Sequence, residues 1–512
     1  MGAIHSGSRC ITSEQLNLRA RCAASGLGAL GITAGDTIAL YLRNDLALFE
    51  ATLAAGMLGA YPVPVNWHYV ADEARYVFHD AQVKAIVIHA DLLRNIAAAI
   101  PEGIPVLVVP TPPEIAQAYD IRREQCAPGP GMLDWNEWLE RHPPFQAPAQ
   151  QARDSMIYTS GTTGRPKGVR RQAPTSEESL FQEFVRARGF GFSREQGADI
   201  VTVVTGPMYH NAPNAYGLIA ARYGGTVILQ PRFDARELLR LIQQFRVTHL
   251  QMVPVMFNRL LALPDDERKT YDLSSLQVVV HSAAPVSPEV KRLMLSWWGP
   301  IINEYYGTTE TGMMAFCTAR EWLAHPGAVG KVLPEADLKI VDADGREMPP
   351  GTPGEIICWV RGVPDFTYHN DDDKRQAVFR GSRFSTGDVG YVSEDGFLYL
   401  CDRVKDLLIS GGVNIYPAEI EAVLIRMPGV ADCAVFGIPD AEFGEAVCAV
   451  VQPAEGSDIT AQDVKGYLRA RIAGYKVPRV VEFRDELPRE DSGKIFKRKI
   501  REQYWMTANR RI

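Results

Sequence analysis

Residues 156–169 read Met-Ile-Tyr-Thr-Ser-Gly-Thr-Thr-Gly-Arg-Pro-Lys-Gly-Val, and the rest of the chain is organised around them. An apolar, strand-like lead of Met156, Ile157 and Tyr158 runs into six residues that are all Thr, Ser or Gly. Gly161, Gly164 and Gly168 permit backbone conformations that a side chain forbids and let the backbone approach a ligand closely. N–H groups exposed in such a loop form an anion-binding hollow. Thr159, Ser160, Thr162 and Thr163 add hydroxyl donors and Lys167 adds a cation, so the stretch is a phosphate cradle. It is not the P-loop, whose Lys follows directly on a Gly; Arg165 and Pro166 stand between Gly164 and Lys167. A flexible linker is the competing reading, but linkers rarely follow a buried strand with a fixed basic residue.

The chain has 512 residues, too many for a single core, which implies two or more domains. A net charge of −7 excludes a global basic field that would hold nucleic acid. The eight cysteines are scattered without metal-ligand spacing and read as reduced thiols of a cytoplasmic protein. No apolar run is long enough to be a transmembrane segment, and the N-terminus lacks a secretory signal. Gly2 with Ser6 fits a myristoylation pattern, but one so short that it is set aside.

Helical spacing over 13–30 and 46–58 alternates with short apolar strands at 37–42, 62–65, 85–89 and 106–109. Such alternation predicts α/β layers. Residues 111–150, rich in Pro, Gln and Glu, read as a surface excursion. Beyond the cradle, strands are expected at 199–204, 226–229, 249–253, 276–281 and 301–306. Three of them end in chemistry. The first stops at Gly206-Pro207 and presents Tyr209 and His210, although a lone His is more often structural. Another runs into Ser282, Ala283 and Ala284, small residues that leave room for a flat ring or acyl chain, or simply allow tight packing. The last is followed by Tyr306, Gly307, Thr308, Thr309 and Glu310. These offer an aromatic to stack on a purine, hydroxyls for a phosphate oxygen and a carboxylate for Mg²⁺, a cation that takes hard oxygen ligands. Taken alone they equally describe a capped helix N-terminus.

Asp388 after Thr-Gly is commonly a turn residue, and the acidic run 371–373 reads as a solvated turn. A charged cluster at 401–406 precedes a helix over 418–425, with Glu419 and Glu421 in its dipole-favoured first turn. Strands at 431–437 and 446–452 and a helix over 461–472 follow. Lys494 sits after a Ser-Gly turn, where a lysine ordinarily serves only solubility. The basic tail 497–512 is expected to fray.

Over about residues 13–503, with five motifs in order, the chain resembles the acyl-adenylate-forming superfamily of acyl-CoA synthetases, peptide-synthetase adenylation domains and luciferases. It is most like a bacterial fatty-acyl-CoA ligase. The resemblance implies an α/β fold: a large N-terminal domain of layered α/β subdomains at 1–402 and a small mobile α+β C-terminal domain at 403–512. It implies two half-reactions, in which a carboxylate attacks Mg·ATP to give acyl-adenylate and pyrophosphate, then CoA takes the acyl group and AMP leaves. ATP, Mg²⁺ and CoA are the cofactors and co-substrates expected.

Thr159, Ser160, Gly161, Thr162, Thr163, Gly164 and Lys167 would cradle the phosphates. Tyr306, Gly307, Thr308, Thr309 and Glu310 would bind the nucleotide, with Glu310 and Thr159 on the metal. Asp388 would take the ribose hydroxyls, and Arg403 ribose or phosphate. His210, Ala283 and Ala284 would border the acyl group, the two alanines standing where the family often has Gly. Lys405 would be the hinge, Ser410, Gly411 and Gly412 the CoA channel, and Lys494 the catalytic lysine. A medium- or long-chain fatty acid is the first expectation for the acid, and an aromatic acid the second. A catalytically silent nucleotide binder is disfavoured by intact Lys494, Glu310 and Lys167. No carrier domain follows, which disfavours a peptide-synthetase module. The partners expected are the acid and CoA, not nucleic acid; a homodimer is compatible with this reading.

Overall fold

The continuous apolar runs Thr37–Tyr41 and Ala85–His89 are strands buried at every position, as parallel strands covered on both faces must be. In the computed structural model they lie in a five-stranded sheet ordered Tyr61–Pro64, Thr37–Tyr41, Ala85–His89, Val106–Val109, Leu133–Asp134, with every neighbouring pair parallel. Ile38, Leu40 and Val87 pack on one face with Leu27 and Phe49 of helices Ser13–Ala29 and Leu46–Met57. Ala39, Tyr41, Ile86 and Ile88 pack on the other with Val77 and Phe78 of helix Ala71–Asp80. The structure describes residues 2–159, 166–195, 197–284, 286–403, 406–410, 413–440, 443–489 and 495–507.

The chain divides into two compact units. One comprises Met1–Ala283, Val290–Arg320 and Val360–Phe379; the other comprises Ala284–Glu289, Glu321–Trp359 and Arg380–Ile512. In the first unit, a second sheet runs Gly312–Cys317, Ile302–Thr308, Val278–His281, His249–Met252, Val201–Val204, Thr226–Leu229, Ala3–Ser6, Arg9–Thr12. Its middle is parallel and its two outer pairs are antiparallel. The N-terminal hairpin turns at Gly7, whose φ of 58° favours glycine. A three-stranded antiparallel sheet of Phe366–Tyr368, Lys167–Arg171 and Ile157–Thr159 carries the cradle.

In the second unit, strands Arg383–Val392 and Phe397–Arg403 pair antiparallel. Farther along, Gly444–Pro453 pairs with Val430–Asp440, Leu408–Ser410 and Val480–Phe483. Helices Pro417–Leu424 and Ala461–Arg469 close a core of Ile420, Leu424, Val435, Ala449, Val464 and Leu468 on that sheet.

Three expectations are corrected and one alternative is excluded. Residues 111–150 are no surface excursion: Leu133–Asp134 completes the first sheet, and Trp135 and Trp138 of helix Trp135–Glu140 are buried in its core. The stretch after Tyr306 is not a helix N-terminus but a hairpin tip between Ile302–Thr308 and Gly312–Cys317. Asp372 and Asp373 open helix Asp372–Val378 rather than a turn. The start of the tail forms helix Lys497–Thr507, held by buried Ile500.

Candidate active site

The strands that flank the cradle pair antiparallel. Ile157 pairs with Val169, Tyr158 with Gly168 and Thr159 with Lys167, so the two ends of the loop are fixed opposite one another. Ser160, Gly161, Thr162, Thr163 and Gly164 lie outside the described residues. Gly168 serves a purpose other than ligand approach. A Cβ there would lie 2.9 Å from the Tyr158 ring, and the hydroxyl of that ring donates to Asp80 Oδ2 at 2.6 Å. Burial and the Asp80 carboxylate both raise the Tyr158 pKa, which keeps the phenol protonated.

The second hairpin brings Glu310 to its tip. Gly307 sits at a register shift where a Cβ would lie 2.3 Å from the Gly312 carbonyl oxygen. Thr308 is committed to the turn, its hydroxyl accepting from Thr311 N at 3.0 Å. Arg171, buried at the end of the cradle's return strand, holds the tip by its backbone. Its guanidinium donates to the carbonyls of Thr309 (2.8 Å), Glu310 (2.7 Å) and Pro364 (2.9 Å), and it faces Asp154 at 3.8 Å. Burial pushes the Arg171 pKa down to about 10, Asp154 working against it, so it remains a cation at neutral pH. Burial would raise Asp154, but Arg186, which donates to both of its oxygens, and Arg171 outweigh this and hold it low.

The Glu310 side chain is oriented by Tyr368, whose hydroxyl donates to Oε1 at 3.0 Å. The Lys167 ammonium lies 4.8 Å from the centroid of the same ring. Lys167, Thr309 and Glu310 are thus tied into one constellation by Tyr368 and Arg171, neither of which the motifs point to. Nothing in the strand Lys-Gly-Val-Arg-Arg singles out Arg171 from its neighbour Arg170.

His210 occupies the N-cap position of helix Asn211–Arg222, its ring 4.4 Å from that of Tyr209. Ala283 adopts φ +74°, a left-handed conformation in which an L side chain is strained. Tyr306 is buried on its strand. On the same strand as Tyr306, Glu304 accepts from Lys291 at 2.5 Å and stands 3.3 Å from His281. Burial would raise the Glu304 pKa, but these two partners lower it.

In the second unit, Asp388 and Arg403 are register partners on adjacent strands, with Nε 3.1 Å from Oδ1. Ser410 ends strand Leu408–Ser410 and pairs with Val413. Lys405, Gly411, Gly412 and Lys494 lie outside the described residues.

Known proteins place this arrangement. A family model described as AMP-binding enzyme matches residues 2–363, and one described as AMP-binding enzyme C-terminal domain matches residues 419–494. A feruloyl-CoA synthase of an Amycolatopsis species is 33% identical over 98% of this chain and 96% of its own length. A long-chain-fatty-acid–CoA ligase of Mycobacterium tuberculosis is 30% identical over 97% and 94%. The ATP-bound structure of MatB from Rhodopseudomonas palustris superposes with a TM-score of 0.84 at 30% identity, over 98% of this chain and 95% of that one. With family models covering both regions and relatives matched along nearly the whole length, the chain belongs to the AMP-binding enzymes, the acyl-adenylate-forming superfamily.

Proposed function

We propose that the protein is an ATP-dependent acid–CoA ligase that activates an apolar carboxylic acid as its adenylate and passes the acyl group to CoA, releasing AMP and pyrophosphate. The observation that carries this is the Lys167–Tyr368–Glu310 constellation at the mouth of the cradle hairpin. It sets a cation and an aligned carboxylate beside the loop whose composition suits phosphate. The first half-reaction joins two anions, so its barrier falls chiefly through positioning and charge stabilisation. Thr159 to Gly164 and Lys167 hold the β- and γ-phosphates, Tyr306 and Thr309 the base and a phosphate oxygen, and Asp388 and Arg403 the ribose side. The Asp388 carboxylate, held 3.1 Å from Arg403 Nε, offers oxygens that can accept from two hydroxyls.

The oxygen donors of Glu310 and Thr159 suit Mg²⁺, which takes one or two protein ligands and otherwise phosphate oxygens and water. When bound, the ion supplies charge neutralisation at the phosphates. Lys494 meets the negative charge that crowds at the reacting oxygens. It is carried by a small domain, 403–512, that turns about Lys405 and then presents Ser410, Gly411 and Gly412 to the pantetheine.

A medium- or long-chain fatty acid is the first reading of the substrate. An aryl acid is the second, favoured by the paired rings of Tyr209 and His210 and by the feruloyl-CoA synthase relative. Pyrophosphate release with fatty and aryl acids, each with and without CoA, tests the proposal. Turnover with either class that becomes continuous only with CoA supports it; no release with any acid overturns it.

A further inference from the structure

Numbered along the chain, the strands of the five-stranded sheet run 2-1-3-4-5, so the order reverses between Thr37–Tyr41 and Ala85–His89. In doubly wound sheets the crevice outside the carboxyl ends at such a reversal holds the ligand. Here the side chains of the turns that follow the strands pair with one another. Arg43 pairs with Asp91 at 2.9 Å and lies over the rings of Trp67 and Tyr119, and His89 Nε2 meets Asp45 Oδ2 at 3.1 Å.

Asn44, from the same turn, spends both ends of its carboxamide elsewhere. Its Nδ2 donates to the Gly206 carbonyl and its Oδ1 accepts from Met208 N, both at 2.9 Å. Asn214 grips the same residue from the other side: its Nδ2 donates to the Met208 carbonyl at 2.9 Å, and its Oδ1 accepts from Ser155 Oγ at 2.9 Å. Both asparagines are buried. Helix Asn211–Arg222 begins directly after the turn at 206–210, with His210 at its N-cap position. Besides its own backbone bond from His210 N to the Pro207 carbonyl at 3.1 Å, the turn is held by the two carboxamides. Buried backbone groups must find partners, and a short planar amide with one donor end and one acceptor end satisfies a carbonyl and an N–H two residues apart. Ser155 extends this chain of bonds to the segment that leads into strand Ile157–Thr159 and the phosphate cradle.

We propose that Asn44, with Asn214 as its counterpart, is a positioning residue for Tyr209 and His210 and thereby sets which acids are accepted. This rests on the reading above that His210 borders the acid. The crevice at the sheet's switch point acts as a strut under the acyl wall, and Ser155 ties that wall to the cradle.

The test compares Asn44→Ala and Asn214→Ala with Thr202→Val, a control that breaks buried bonds of Thr202 to His249 O and Tyr216 within the same unit. Thermal midpoint, hydrogen–deuterium exchange of peptides covering 206–214 in the ligand-free protein, and pyrophosphate release with one fatty and one aryl acid are measured. For either asparagine variant we expect loss of protection at 206–210 and KM for the acid raised by about tenfold, the size expected when a buried hydrogen bond is lost. The fatty-to-aryl ratio of kcat/KM should change while KM for ATP does not, and Thr202→Val should lower only the thermal midpoint. Acid and ATP KM rising together, or an unchanged acid ratio in a folded variant, overturns the proposal. If Asn44→Ala does not fold, Asn214→Ala decides. If the wild type activates no acid, the ligase reading fails, and unchanged protection at 206–210 would separately refute the strut.

Discussion

Tyr368 donates its hydroxyl to the Glu310 carboxylate while the face of its ring carries the Lys167 ammonium. One aromatic side chain therefore spaces the cation of the cradle hairpin from the anion of the second hairpin. Tyr368→Phe keeps the ring and removes only the hydroxyl. A hydrogen bond to a charged group is worth roughly 1.5–3 kcal/mol, so kcat/KM for Mg·ATP should fall by about tenfold or more and the Mg²⁺ requirement should rise. Initial rates of pyrophosphate release across a Mg²⁺ titration measure this; an unchanged Mg²⁺ midpoint would count against the orienting role of Tyr368.

Arg171 satisfies three backbone carbonyls with one planar cation. Lysine presents a point charge and cannot span them. Arg171→Met should cost about 3–5 kcal/mol, the usual loss when a buried charged partner is removed, and Arg171→Lys should recover only a minor part. Urea unfolding followed by tryptophan fluorescence measures both. A loss confined to a few tenths would show that the tip is held by other means.

Acid should weaken the first sheet before pH 2 is reached. Burial would raise the Asp45 pKa, but hydrogen bonding and charge from His89 and Arg9 outweigh it and hold the carboxyl at about 2, below its ordinary 3.8. A folded-state pKa below the unfolded one contributes stability that is complete above the ordinary value and is lost as pH falls through the folded one. The contribution, roughly 2 kcal/mol, should thus disappear between about pH 4 and pH 2. Asp45→Asn should be less stable at pH 7 and show a flatter stability profile over that window, read by chemical denaturation at successive pH values.

Ala283 holds a left-handed backbone conformation where glycine carries no steric cost. Ala283→Gly should relieve about 1 kcal/mol of strain, offset in part by the greater entropy of an unfolded glycine. We expect a small rise in thermal midpoint together with tolerance of bulkier acids in the pyrophosphate assay. A clear drop in midpoint would mean that the methyl group packs favourably enough to outweigh its strain.

Lys494→Ala should slow adenylate formation by about 10²–10³, as loss of a preorganised charge contact does. Thioester formation from synthetic acyl-adenylate and CoA should be largely spared. Equal losses in the two half-reactions would contradict a lysine that acts in only one of them.

The parallel sheet was legible, and the cradle was expected, because each is written locally. Strands covered on both faces appear as unbroken apolar runs, as at Thr37–Tyr41, and a loop that binds through its backbone must be built of Gly, Ser and Thr. The register of Thr159 with Lys167 follows from the same hairpin, whose strands flank the loop. The short N-terminal strands were not legible: four residues with polar alternation look like any surface segment until Thr226–Leu229 offers an edge.

The expectation of adenylate chemistry came from sequence alone, since Lys167, Glu310, Asp388 and Lys494 each stand within a short motif of fixed spacing. The assembly of the first two into one place was decided by tertiary structure. Tyr368 reaches Glu310 across 58 positions, Arg171 reaches Thr309 across 138 and Asn44 reaches Met208 across 164. Periodicity and turn chemistry report on neighbours a few residues apart. Buried hydrogen bonds between distant segments leave no such trace, because each partner alone is merely a polar residue whose mate only the folded chain supplies.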